Sequence, residues 1–99
     1  MAAQFDVYLT PQKSRIVIVQ SDLLDEMRVR VAAPLLPAKS GLRPIKSLNP
    51  EIWIDGEAYF LMPQLLATFS IKELGDRIGS VADERDKIIR AIDTLLAGV

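Results

Sequence analysis

The chain contains no cysteine and no histidine. The first absence excludes disulfides and thiol nucleophiles, and the second excludes imidazole bases. Together they remove most zinc sites. The lack of disulfides fits a reducing compartment. Charge of one sign is also missing, since 12 basic residues face 13 acidic ones for a net charge of −1. Nucleic-acid binding dominated by phosphate contacts needs a concentrated basic surface, which this balance does not supply. A local set formed by Arg28, Arg30, Lys39, Arg43 and Lys46 reads as a solvated charged face. No apolar run approaches the roughly 18 residues of a membrane span, and Met1–Gln4 lacks a signal-peptide pattern. The expectation is a soluble, cytoplasmic protein without membrane association.

What remains is enough for one domain. The 99 residues are 49% hydrophobic and 25% charged, which argues against disorder, and residues 1–99 read as a single unit. Phe5, Val7 and Leu9 alternate with Asp6 and Tyr8 as a strand, and Pro11 opens a turn. Ile16-Val17-Ile18-Val19 suits a strand buried on both faces. Val29, Val31 and Ala33 alternate as a third strand that is expected to stop near Pro34. Four prolines and Gly41 then mark residues 34–50 as a loop, with room for a short hairpin around Leu42–Ile45.

The strongest local signal is Asp55-Gly56 between Ile52-Trp53-Ile54 and Tyr59-Phe60-Leu61, a tight hairpin. Trp53, the single tryptophan, reads as a core or sheet-face residue. Leu65–Ile71 is apolar enough for a further strand, with helix as the competing assignment. Ser80 is placed to cap a final helix, with Asp83–Lys87 and Asp86–Arg90 as outer-face pairs. Ile78, Ile88, Ile89, Ile92, Leu95, Leu96 and Val99 approximate its apolar stripe. At least five strands and one helix imply a small curled antiparallel sheet with the helix packed on one side.

The chemistry-bearing residues form no recognisable catalytic set. Asp22, Asp25 and Glu26 cluster in sequence, as do Asp83, Glu84 and Asp86, yet both sets lack the Gly-centred calcium-loop pattern. Gly75–Gly79 lacks the Lys-Ser/Thr ending of a phosphate loop. Ser14-Arg15 has no general base nearby in sequence. The expectation is a protein that is not an enzyme and uses neither metal nor cofactor.

Two apolar features stand out instead. Leu23-Leu24 is flanked by acids, and in an extended segment one of the two would be exposed. A short helical turn is the alternative, in which both leucines can be buried. The final helix stays apolar to its end at Leu95-Leu96-Ala97-Gly98-Val99.

With these features in hand, Gln4–Tyr8, Gln20-Ser21-Asp22-Leu23-Leu24-Asp25, the strand ending at Pro34-Leu35, Ile54-Asp55-Gly56-Glu57 and the terminal Gly98-Val99 resemble the CcdB family. The resemblance runs through nearly the whole chain in order. It implies a mainly β (α+β) fold: an SH3-like barrel of about five antiparallel strands with a small β wing and a C-terminal helix. It also implies a homodimer that acts as the toxin of a toxin–antitoxin module. Such a toxin binds the DNA gyrase A subunit and traps its cleaved-DNA complex, and a CcdA-like antitoxin with a disordered tail neutralises it. The toxin–antitoxin complex represses its own operon. The resemblance implies no direct nucleic-acid binding by the chain alone.

Carried over by position, the gyrase-binding residues fall on Leu23, Leu24, Asp93, Ala97, Gly98 and Val99, supported by Phe5 and Leu95. Ala97 stands where the family has Trp, and Asp93 where it has Asn. Two alternatives accompany this reading. One is a degenerate homologue that only binds antitoxin. The other is a MazF-like endoribonuclease toxin, for which Arg15 or Arg28 would supply the cation.

Overall fold

A computed structural model describes residues 2–98. Its architecture is one antiparallel sheet of seven strands, curled into the half-barrel of an SH3-like fold, followed by a single α-helix. The strands are β1 (Asp6–Leu9), β2 (Arg15–Ile18), β3 (Val29–Pro37), β4 (Glu51–Ile54), β5 (Glu57–Leu61), β6 (Ala67–Ser70) and β7 (Asp76–Ser80); the helix α1 spans Arg85–Leu96. The order across the sheet is β4-β5-β3-β2-β1-β7, with β6 pairing β3 beside β5. There are seven strands where the sequence suggested about five, and the β4–β5 hairpin is continuous with the sheet through β3 and sends Ile52, Tyr59 and Leu61 into the core. Among the described residues no helix is long and apolar enough to cross a membrane.

β2 fixes the layout of the core. Val17 faces one side, with Val7, Ala33, Leu35, Ile52, Tyr59 and Leu61, and α1 covers this side with Ile88 and Ala91. Ile16 and Ile18 face the other side, with Tyr8, Ala32, Ala2 and Leu74. A β-branched run packed on both faces is what three consecutive buried positions require.

Asp55 and Gly56 take φ of 50° and 80°, the doubly positive turn that matches strand twist in a two-residue hairpin. Gly75 is needed for a different reason. Its φ is 82°, and a Cβ there would overlap the Leu9 carbonyl oxygen and sit 3.0 Å from Thr10 Cα.

Several sequence expectations are corrected. β3 does not stop at Pro34 but runs nine residues to Pro37. Its partner on one side changes there, from β6 over Val29–Ala32 to β5 over Leu35–Pro37. The Pro34 carbonyl accepts from Met62 N–H at 2.9 Å at that junction, where the missing proline N–H leaves no ladder position empty. Residues 42–45 form no hairpin; the Ile45 N–H is held by the Asn49 side chain at 2.9 Å instead.

β7 was not expected. Its residues are mostly exposed and it is held by pairing with β1, so no inward alternation marks it. Ile78 therefore belongs to a strand and not to the helix stripe. Ser80 ends β7 and caps no helix: its Oγ accepts from Ala82 N–H at 3.2 Å, but the residue before the 3-10 turn Ala82–Glu84 is Val81. α1 begins only after that turn, preceded by Glu84 and without a side-chain cap. The ion pairs found there are Lys87–Glu84 (3.2 Å) and Arg85–Asp86 (3.8 Å), not Asp83–Lys87 and Asp86–Arg90. Trp53 lies on the sheet face, 58% exposed, with its indole N–H donating to Glu51.

Candidate partner-binding site

The segment after β2 leaves the sheet as a 3-10 turn over Asp22–Leu24. Ser21 Oγ accepts from Leu23 N–H at 3.1 Å, while Leu24 and Asp25 N–H donate back to Ser21 and Asp22 carbonyls. Asp22 Oδ1 accepts from Gln4 N–H at 2.8 Å, tying the turn to the N-terminal segment. This local satisfaction of backbone groups lets the turn stand clear of the core. The sequence left a helical turn open as a way to bury both leucines. The turn is helical, but it buries neither: Leu23 is 92% and Leu24 49% exposed, and Met27 is exposed beside them.

Beneath the turn lies a polar clamp. Gln20 is buried; its amide donates to Leu24 O (3.3 Å) and Val29 O (3.2 Å), and its oxygen accepts from Val31 N–H (3.0 Å). Arg30, only 3% exposed, donates from Nε to Ala2 O (3.1 Å), from Nη1 to Met27 O (2.6 Å) and Val29 O (2.9 Å), and from Nη2 to Asp25 O (3.2 Å). Arg30 was grouped with the surface charges in the sequence. It is instead a buried guanidinium whose planar fork gathers four carbonyls, one from the N-terminal segment and three from residues 25–29. The sequence could not reveal it, because backbone carbonyls leave no residue signature.

The second feature is the end of α1. Ala97 and Gly98 N–H both donate to Asp93 O, at 2.8 and 3.2 Å, and Gly98 takes a left-handed φ of 69° to close the helix. Asp93, Ala97 and Gly98 are exposed, and Leu95 is half-buried. Leu96 was expected in the core but is 74% exposed. The helix stripe that does reach the core is Ile88 and Ala91, with Ile89 and Ile92 at its margin. Val99 lies outside the described residues.

Phe5 does not join this surface. Its ring is 4% exposed within the core, and its backbone, at φ 70°, bridges Ile18 O and Val81 N–H. It can support the site only from behind. The turn at Asp22–Leu24 and the helix end are two separate exposed apolar features; no hydrogen bond among the described residues joins them.

Other candidate groups are dispersed. Among the described residues, no group of three or more metal-ligating side chains comes together. Asp6, buried in β1, accepts from Arg77 Nε at 3.2 Å and from Ala3 N–H at 3.1 Å. The hydrogen bond and charge of Asp6 push the Arg77 guanidinium further above its already high pKa. Arg15, for which no base was found in sequence, lies 5.3 Å over the Tyr59 ring, and the Tyr59 hydroxyl donates to Glu57 at 3.5 Å. Arg28 lies elsewhere, beside Ser70, Ile71 and Lys72.

The family model described as CcdB protein matches residues 4–98. Among solved structures, an endoribonuclease from a mycobacterial species superposes with a TM-score of 0.79 at 20% identity, covering 95% of this chain and 89% of its own. An endoribonuclease in complex with its cognate antitoxin, also from a mycobacterial species, gives 0.81 at 18% identity, covering 97% and 95%. At such identities the likeness is one of fold. It nevertheless overturns the expectation that this chain is not an enzyme. That expectation rested on missing His and Cys, and proteins named endoribonucleases share the same fold.

Proposed function

This chain belongs to the CcdB family, and from that membership we propose that it is the toxin of a toxin–antitoxin pair whose target is the A subunit of DNA gyrase. The contact surface is Leu23 and Leu24 on their rigid turn together with Asp93, Leu95, Ala97, Gly98 and Val99 at the helix end. The observation that carries this reading is the Leu23–Leu24 turn. Two leucines are held out in water by a turn whose N–H groups at 23, 24 and 25 are hydrogen-bonded and whose following carbonyls at 25 and 27 are clamped by Arg30. Exposed apolar groups on a rigid support suit a partner that will cover them.

In this proposal the protein works as a homodimer, traps gyrase on cleaved DNA, and is silenced by an antitoxin whose disordered tail covers it. Ala97 removes the aromatic anchor found in the family, so the turn carries more of the binding than the helix end does. Expression without antitoxin should arrest growth and raise a DNA-damage response, and Leu23→Asp should abolish both while the protein stays folded. Normal growth, with no binding to gyrase A from the same host, would sink the proposal.

A second reading, an endoribonuclease toxin, is favoured by the Arg15–Tyr59–Glu57 arrangement. Glu57 offers a carboxylate to accept a proton, the Tyr59 hydroxyl a proton to give, and Arg15 a cation for a phosphate. Lys39 and Glu57 also line a common cavity of about 340 Å³. Purified protein should then cleave single-stranded RNA, and Glu57→Gln and Arg15→Ala should each remove the cleavage. RNA left intact would reject this reading and leave the gyrase one untouched.

A further inference from the structure

One side of α1 forms a concave basin with the loop that precedes β4. The cavity holds about 200 Å³; Lys87 and Arg90 line it from the helix, Lys46 and Ser47 from the loop, and Ala91 and Pro50 form its apolar part. Positions 87, 90 and 91 share a helix face, so the two helix cations open on the same side. Three of the chain's 12 cations thus meet in one concavity of a protein whose net charge is −1.

Lys87 Nζ is 3.2 Å from Glu84 Oε2 and 3.4 Å from Glu51 O, so its charge is shared with a carboxylate. Among the described residues neither Lys46 nor Arg90 has a carboxylate partner. Thr94 also lines the basin, but its hydroxyl donates to Arg90 O at 3.0 Å and is spent. None of these residues belongs to the candidate gyrase surface.

We propose that this basin is an anion site for a phosphate dianion, whether inorganic phosphate or a terminal phosphate monoester. The charge balance selects the class. Setting Glu84 against Lys87 leaves two cations with no carboxylate within ion-pair distance among the described residues, and a phosphate monoester carries about −1.5 to −2 near neutral pH. A single carboxylate would leave one cation unmatched. The Arg90 fork fits two oxygens of a tetrahedral anion, and the Lys46 ammonium and Ser47 hydroxyl can donate to the others.

The test is a ¹H–¹⁵N titration of the whole protein at low salt, with four probes: inorganic phosphate, a short 5′-phosphorylated oligonucleotide, its 5′-hydroxyl counterpart, and a Glu-rich peptide. The expected result is a saturable shift of amides around 46–47 and 87–94 with inorganic phosphate. Arg90→Gln and Lys46→Gln should each weaken it by about tenfold or more. Arg28→Gln, at a cation in a different cavity, should leave it unchanged. Tighter binding of the 5′-phosphorylated strand than of inorganic phosphate would assign the site to a nucleotide end, and no gain would assign it to free phosphate; both support the proposal. It is overturned by an unsaturated titration, by shifts that persist in Arg90→Gln, by equal binding of the 5′-hydroxyl strand, or by response to the Glu-rich peptide alone. Because the substituted side chains are exposed, thermal melts of the variants should match the parent and separate lost binding from lost fold.

Discussion

Replacing Arg30 by Met tests whether the turn bearing Leu23 and Leu24 is built on a buried cation. Met matches the length of the aliphatic stem and removes the guanidinium, so no uncompensated charge is left behind. Four backbone carbonyls lose a donor: those of Ala2, Asp25, Met27 and Val29. Val29 O keeps the Gln20 amide at 3.2 Å. Asp25 O and Met27 O are only partly buried, so water can reach them, whereas the bond to Ala2 O is buried. One carbonyl at full desolvation cost and two at partial cost, offset by the charge no longer taken from water, give a net loss of about 2–4 kcal/mol. For a domain of this size that lowers Tm by roughly 10–30 °C, readable by calorimetry or by urea unfolding. Arg30→Lys should not rescue it, since an ammonium cannot span carbonyls fanned around a planar fork. A loss under about 0.5 kcal/mol for Arg30→Met would refute the reasoning, because it would mean that the carbonyls find other donors at no cost.

Gly75→Ala should cost more than about 2 kcal/mol, since it combines a left-handed φ with overlap on the Leu9 carbonyl; chemical denaturation reads this directly. Leu23→Ser should change stability by less than about 0.5 kcal/mol, because the side chain is almost wholly in water, while pull-down of the partner falls by tenfold or more. Stability should stay flat between about pH 6 and pH 9, because the chain has neither His nor Cys to titrate there. Asp6 raises the folded pKa of Arg77, so that pair's contribution is complete below the unfolded value and is lost only as pH climbs through the folded one, far above this window. A melting series across that range checks it.

The parts of the fold legible in the sequence are those where side-chain pattern and backbone demand coincide. Asp55-Gly56 names its own turn, and Ile16-Val17-Ile18 could only be a strand packed on both faces. β7 was invisible for the opposite reason: Asp76-Arg77-Ile78-Gly79-Ser80 buries almost nothing and exists because β1 offers an edge. Pro34 misled because the rule that proline ends a strand assumes one continuous partner, and β3 changes partners there. Ser80 caps neither the 3-10 turn nor α1, because β7 runs through it and the turn starts one residue later, a distinction of φ/ψ that no hydroxyl announces.

The candidate site divides along the same line. Leu23-Leu24 between acids was conspicuous as apolar residues in a polar context. The clamp beneath it was not, since Arg30 binds backbone oxygens and any residues at 25, 27 and 29 would have supplied them. Phe5 sits beside this segment in the resemblance, yet its left-handed backbone just before β1 sends its ring into the core.

The energetics of the turn bear on how the proposed surface could hold its target. Fully burying Leu23 is worth about 1.5–3 kcal/mol, and Leu24, half covered already, adds roughly half as much. Association costs at least about 4 kcal/mol before any side chain is ordered. One turn therefore cannot hold a partner alone, even though its locked backbone leaves little to be ordered on binding. Leu96, largely exposed at the helix end, offers a comparable area, and Ala97 beside it offers almost none. In the proposed homodimer a two-fold axis would present two copies of the turn and two helix ends to one symmetric target. The second copy would then bind at a high effective concentration without a second association cost. On this reasoning the proposed surface, with only Ala97 at its helix end, holds a target only in a dimer. A monomeric variant should lose partner binding altogether, while each turn stays folded around its own Arg30.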